Sequence, residues 1–321
     1  MTARVLVTAP PMLGAISTFE PILAGHGLEV VAPAIVQAMA EAELVAIVPR
    51  VDAWIAGDCP VSRRVMEAGL GGRLRAIVKW GVGVDNVDFA AARELGLPVA
   101  NTPGVFGNEV ADVALGYVIA LARQTHLVDR GVRGGAWPKP AGLSLCECRA
   151  ALVGYGDIGR AIAHRLLACG MRVSVYDPAA TVVGPGCEIR VWPDGLDAAD
   201  VLVLACALTP ATRHLVDARA LARCKPGVRI VNVARGALID ERALEDALDG
   251  GHVHSAALDV FETEPLPAAS RLRRHERCVF GSHNASNTIH GVARASHRAI
   301  EVLLELLARS RPARTAGGER V

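Results

Sequence analysis

Short runs of aliphatic and β-branched residues alternate along the chain with longer stretches in which apolar positions recur every three to four residues. The first such runs are Arg4-Val5-Leu6-Val7-Thr8, Leu28-Glu29-Val30-Val31, Ala53-Trp54-Ile55-Ala56 and Leu74-Arg75-Ala76-Ile77-Val78. Leu97-Pro98-Val99-Ala100 and the turn Asn101-Thr102-Pro103-Gly104 close the series. Strands of this length separated by amphipathic stretches predict repeated βαβ units, and hence a parallel sheet with helices on both faces. From Asn108 a long helix is predicted, with Val110, Val113, Ala114, Tyr117, Val118 and Leu121 on one face; core and subunit contact suit that face better than a ligand site. A Gly- and Pro-rich polar stretch, Arg130 to Leu143, precedes a second strand series: Ala150-Ala151-Leu152-Val153, Arg172-Val173-Ser174-Val175-Tyr176, Val201-Leu202-Val203-Leu204 and Arg229-Ile230-Val231-Asn232-Val233. A last amphipathic helix, Gly291 to Ala308, is expected to return to the first unit, and the polar tail after Arg309 is expected to fray.

Composition narrows the classes. The chain has 321 residues, 51% of them apolar, and a formal net charge of +1, which argues against disorder and gives no electrostatic footprint for nucleic acid or an anionic membrane. Neither a secretory amino terminus nor a long uncharged apolar run is present, so the expectation is a soluble, cytoplasmic protein with no membrane partner. The eight cysteines are scattered without a CxxC pair, which predicts reduced, mostly buried thiols and no metal site. Among 34 basic residues only Lys79, Lys139 and Lys225 are lysines, so the placement of each lysine carries weight.

Candidate chemistry begins where the strand Ala150–Val153 runs into Gly154-Tyr155-Gly156-Asp157-Ile158-Gly159 and a helix follows. GxGxxG in that context is a dinucleotide loop: Gly154 permits the tight turn, Gly156 the approach of a pyrophosphate, and Gly159 close helix packing. The Asp157 and Ile158 amides would point at the phosphates, with the positive helix end behind them. Asp177 ends the next strand, where a carboxylate accepts from the ribose hydroxyls and repels a 2′-phosphate, so NAD is the expected cofactor. The competing reading makes Asp177 the start of a turn with Pro178.

Reduction of a 2-oxo acid needs a cation for the carboxylate, a proton donor and a group that keeps the donor charged. Val233-Ala234-Arg235-Gly236, Asp259-Val260-Phe261-Glu262-Thr263-Glu264-Pro265 and Gly281-Ser282-His283-Asn284-Ala285-Ser286-Asn287-Thr288 supply those types. With Trp80-Gly81-Val82-Gly83-Val84-Asp85-Asn86-Val87-Asp88, Asn101-Thr102-Pro103-Gly104, Leu208-Thr209-Pro210 and Cys224-Lys225-Pro226-Gly227, the chain resembles the D-isomer-specific 2-hydroxyacid dehydrogenase family, its phosphoglycerate dehydrogenase-like members most closely.

The resemblance implies an α/β protein of two doubly wound parallel-sheet domains. A discontinuous flavodoxin-like substrate domain would span 1–103 plus 289–321 and a Rossmann NAD-binding domain 104–288, with the active site in the cleft between them and a homodimer as the assembly. Carried over to this chain, Arg235 would bind the substrate carboxylate and polarise its 2-oxo group, His283 would move the proton, and Glu264 would favour the imidazolium. Glu262 is the competing partner for His283. Asp259 would lie beside the nicotinamide, with Val233, Ala234, Cys206, Ala285 and Ser286 lining the cofactor pocket. The Gly81, Val82 and Gly83 amides would receive a carboxylate.

Departures from the pattern bear on substrate. Where phosphoglycerate-specific relatives carry an Arg after the third strand, this chain reads Gly57-Asp58-Cys59-Pro60. Lys79, by contrast, precedes the Gly81–Gly83 loop, which predicts a second cation for a substrate with a second anionic group: 3-phosphohydroxypyruvate, a phosphonate analogue or a dicarboxylate. A surface lysine is the competing view, and a buried one is disfavoured because an unpaired buried ammonium is costly. Two other functions remain open for this pattern: an NAD(H)-sensing corepressor of the same fold, and phosphite oxidation. Formate oxidation is disfavoured, since formate enzymes carry Gln where Glu264 stands.

Overall fold

The computed structural model describes residues 2–309; the tail after Arg309 lies outside the described residues. The chain divides into two compact units, Met1–Val105 with Asn287–Val321, and Phe106–Ser286.

In the first unit, five strands form a parallel sheet: β1 (Ala3–Val7), β2 (Leu28–Val31), β3 (Ala53–Ala56), β4 (Ala76–Lys79) and β5 (Val99–Asn101). Their order is β2-β1-β3-β4-β5, the doubly wound flavodoxin-like order. Every residue of β3 and β4 is buried, as a sheet covered on both faces requires. Leu6, Trp54 and Ile77 share one core with Leu44, Val65 and Met66 from the helices Glu41–Ile47 and Arg63–Leu70. Trp54 is wholly buried and its indole N–H donates to Thr8 Oγ1 at 2.8 Å, so no polar atom is stranded there. The helix Ile289–Arg309 rejoins this unit, and its buried Ser296 hydroxyl accepts from Trp80 Nε1 at 3.1 Å.

The second unit holds seven parallel strands: β6 (Arg149–Val153), β7 (Arg172–Tyr176), β8 (Cys187–Ile189), β9 (Val201–Leu204), β10 (Val228–Asn232), β11 (Val253–Leu258) and β12 (Val279–Phe280). The order β12-β11-β10-β9-β6-β7-β8 reverses direction between β6 and β9, and ligands of such sheets bind beyond the carboxyl ends of the strands at that switch point. The helix Gly107–Arg123 buries Val110, Ala111, Ala114, Val118 and Leu121 within this unit. It is tied to the helix Asp157–Ala168 by Arg165, which donates to Asp112 Oδ1 at 2.7 Å and Asn108 Oδ1 at 3.2 Å. Three strands are not evident from the hydrophobic pattern. β8 and β12 are too short to read, and β11 is interrupted by the polar pair His254-Ser255.

Candidate active site

The glycine loop leaves β6 at Gly154, whose φ of +95° is open only to glycine without strain, and whose missing Cβ would stand 2.6 Å from the Cys206 nitrogen. The β6 and β9 exits therefore touch at the switch point. Gly159 is pressed against the Gly154 carbonyl, where a Cβ would lie 2.1 Å from the oxygen. Gly156 is different: nothing lies within 4 Å of where its Cβ would be, and as N-cap of the helix Asp157–Ala168 it makes no side-chain cap. Gly156 thus leaves room beside the first turn that carries the Asp157 and Ile158 amides, as the approach of a pyrophosphate requires.

Asp177 follows β7 directly. Its Oδ2 accepts the Tyr155 amide of the glycine loop at 2.7 Å and its Oδ1 accepts the Ala179 amide at 2.9 Å. It starts the turn, as the competing reading holds, and at the same time carries its carboxylate to the loop. Each oxygen retains a lone pair for a ribose hydroxyl. Tyr155 lays its hydroxyl under the following loop, accepting from the Gly184 amide at 3.2 Å. Burial pushes the Cys206 thiol up to about 11, so this side chain is a neutral wall.

The chemical groups stand on three loops after β10, β11 and β12. Beyond β10, the wholly buried Asn232 braces the turn from both sides: Oδ1 accepts the Ala234 amide at 3.1 Å and Nδ2 donates to the Arg235 carbonyl at 2.8 Å. Val233 is buried, Ala234 half-buried, and Arg235 Nη1 donates to the Ala234 carbonyl at 2.7 Å. Gly236 lets this turn lie on the next loop, since a Cβ there would stand 1.8 Å from the Phe261 carbonyl carbon.

Glu264 Oε1 accepts the Phe261 amide at 2.9 Å, which fixes the carboxylate, and Oε2 lies 2.7 Å from His283 Nδ1. Glu262 is engaged elsewhere. Its Oε1 accepts the Glu241 amide at 3.1 Å and lies 3.0 Å from His214 Nε2, while its own amide donates to Glu241 Oε1 at 2.8 Å. The choice between the two carboxylates thus falls to Glu264. With Nδ1 held by a carboxylate, Nε2 is the atom that would exchange a proton with substrate. His283 has a φ of +55°, uncommon for a residue with a side chain, and its amide donates to the Asp259 carbonyl at 2.6 Å. The Asp259 carboxylate, 2% exposed, accepts the Asn284 amide at 3.2 Å and the Ala285 amide at 2.9 Å. It also accepts from the Tyr117 hydroxyl at 3.4 Å. Ala285 is buried and Ser286 half-buried. Sequence reasoning passes over Tyr117 and Asn232 as partners, since each reads locally as a core position.

Lys79 requires a correction. It is the last residue of β4 and is 3% exposed, contrary to the expectation that a buried lysine is disfavoured. The physical reason is a partner that local reasoning does not supply: Nζ lies 3.0 Å from Asp58 Oδ1 and also donates to the Trp80 carbonyl at 3.2 Å. Asp58 in turn accepts from Gln37 Nε2 at 3.0 Å. In the loop that follows, Gly81 has a φ of +110° and its amide donates to Thr102 Oγ1 at 2.8 Å, so that amide is already committed within the fold. Val82 is exposed and Gly83 half-exposed beside it.

Residues 115–285 match the family model for the D-isomer specific 2-hydroxyacid dehydrogenase NAD binding domain. The chain belongs to that family. NAD is its cofactor, and the loop, the carboxylate at Asp177 and the open helix end fit it. The chain is similar to a hydroxypyruvate reductase of Thermotoga maritima, 39% identical over 230 residues that make up 70% of this chain and 73% of that protein. It is also 39% identical over 229 residues to the D-3-phosphoglycerate dehydrogenase of Mycobacterium tuberculosis, but spans only 43% of that protein's length. Among solved structures, the TT0316 protein from Thermus thermophilus superposes with a TM-score of 0.85 at 34% identity, covering 97% of this chain and 98% of that one. Among the described residues no helix is long and apolar enough to cross a membrane.

Proposed function

We propose that the protein is a cytoplasmic, homodimeric 2-oxo acid reductase that interconverts a D-2-hydroxy acid and its 2-oxo acid, with NAD(H) as the hydride carrier. The observation that carries the reading is the 2.7 Å contact between His283 Nδ1 and Glu264, which fixes the ring and leaves Nε2 to protonate the developing alkoxide. Arg235, on its braced turn, would take the substrate carboxylate through its planar fork. Asp177 would accept from the ribose hydroxyls, and the Asp157 and Ile158 amides would hold the pyrophosphate.

A substrate with a second anionic group, such as 3-phosphohydroxypyruvate or phosphonopyruvate, rests on Lys79 as a cation. The ammonium is neutralised by Asp58, so a 2-oxo acid with an uncharged side chain suits the chain better, and hydroxypyruvate is the substrate we favour. The name of the Thermotoga relative agrees with it. The test follows NADH absorbance with glyoxylate, hydroxypyruvate, 3-phosphohydroxypyruvate, phosphonopyruvate and 2-oxoglutarate. Highest kcat/KM with hydroxypyruvate or glyoxylate is expected. Turnover of none of the five would overturn the reading; tight NADH binding without turnover would point to the sensor, and phosphite-dependent NADH formation to phosphite oxidation.

A further inference from the structure

Asp259 joins several groups of the candidate site. Its amide donates to the Asn232 carbonyl at 2.9 Å, next to the Arg235 turn, and its carbonyl accepts the His283 amide. Its carboxylate takes the next two amides of the same loop, Asn284 on Oδ1 and Ala285 on Oδ2. A carboxylate that is 2% exposed depends on such donors, and its rotation would release both amides together. Among the described residues, the side chain that reaches it comes from 142 residues away: the Tyr117 hydroxyl, 3.4 Å from Oδ1.

Two features make this contact more than incidental packing. Burial first, and then the Asp259 charge, push the Tyr117 phenol well above its ordinary range, so it stays protonated and is a permanent donor. At Gly281, a Cβ would stand 2.1 Å from Asp259 Oδ1 and 2.5 Å from the Tyr117 hydroxyl. The strand exit before His283 therefore leaves open the space in which the two side chains meet.

We infer that Tyr117 is a positioning residue for the His283 proton donor, acting through the Asp259 carboxylate. The inference rests on the proton-transfer role proposed for His283 above. The hydroxyl fixes the Asp259 rotamer, the rotamer holds the Asn284 and Ala285 amides, and those amides hold His283 in its left-handed backbone conformation with Nδ1 on Glu264. Tyr117 touches no reacting atom in this account.

The test compares the wild type with Tyr117→Phe, which keeps the ring and deletes only the hydroxyl. Steady-state kinetics with NADH and the preferred 2-oxo acid are paired with amide hydrogen exchange of the intact protein. Loss of a hydrogen bond to a charged group predicts a fall in kcat of about tenfold, with KM for the 2-oxo acid moving less than about twofold. Exchange at Asn284 and Ala285 should rise by about tenfold with exchange in β6 unchanged. A merely structural role would raise exchange across the unit and would not separate kcat from KM. Wild-type kcat and wild-type protection of the two amides in Tyr117→Phe would overturn the inference while leaving the reductase reading intact. A wild type that reduces none of the acids, with exchange at the two amides still raised in the variant, would overturn the reductase reading and support the positioning of the loop by Tyr117.

Discussion

Removing the partner of Lys79 is the most direct probe of the ion pair that bears on substrate choice. In Asp58→Ala the ammonium, whose side chain is 4% exposed, keeps the Trp80 carbonyl as its partner among the described residues. Breaking a fully buried ion pair from one side costs about 3 to 5 kcal/mol. Here the Asp58 side chain is 33% exposed, so water can reach the vacated side and about 2 kcal/mol is the expected loss. At about 2 to 4 °C per kcal/mol for a chain of this class, the thermal midpoint should drop by about 4 to 8 °C. Lys79→Met removes the cation and keeps an unbranched side chain, so the double variant Asp58→Ala/Lys79→Met should recover to within about 1 kcal/mol of the wild type. Scanning calorimetry on the four proteins completes the cycle, and NADH turnover of 3-phosphohydroxypyruvate on the same samples reads the functional consequence. Freed of Asp58, Lys79 should raise kcat/KM for the phosphorylated acid relative to hydroxypyruvate. A midpoint within about 1 °C of wild type in Asp58→Ala, with strictly additive effects in the double variant, would refute the reasoning. Lys79 would then not depend on Asp58, and the second-anion substrate would regain its cation.

Three further outcomes are expected. Glu264→Gln keeps an acceptor near His283 Nδ1 but removes the carboxylate that holds the ring; kcat/KM for reduction should fall about 10- to 100-fold in steady-state NADH assays. Asp177→Ala should weaken NADH binding by about tenfold and narrow the preference over NADPH, read by fluorescence titration, since the carboxylate that would repel a 2′-phosphate is gone. His254 is held down to about 4, by burial first and then by Arg229 and Arg277, so the unfolded chain binds its proton well before the folded one does. Stability should therefore be lost as pH falls from about 6.5 toward 4, and thermal midpoints of wild type and His254→Asn at about pH 7.5 and about pH 5 should show a smaller drop in the variant.

Much of the fold is legible in local pattern because strand and helix periodicity is a local property. The runs at Ala53–Ala56 and Val201–Leu204 become strands with those bounds, since buried parallel strands are written as unbroken apolar runs, and Arg172–Tyr176 does so on β-branched residues alternating with polar ones. The glycine loop is legible for the same reason: Gly154 and Gly159 are demanded by turn geometry and by a helix packed within a few residues. β11 is not legible, because the polar pair His254 and Ser255 interrupts the apolar run, and the two side chains meet each other, Nδ1 to Oγ at 2.9 Å.

Residue types and their order along the chain were enough to mark the dinucleotide loop, the arginine, the two competing glutamates and the histidine. Which of those side chains meet was settled by contacts across long stretches of chain. Glu262 is drawn away by Glu241 and His214, leaving Glu264 on His283. Lys79 finds Asp58, and Asp259 finds Tyr117. The physical reason is the same in each case: a buried charge or donor must be satisfied, its partner can come from any strand exit that the topology brings alongside, and spacing along the chain carries no record of that choice.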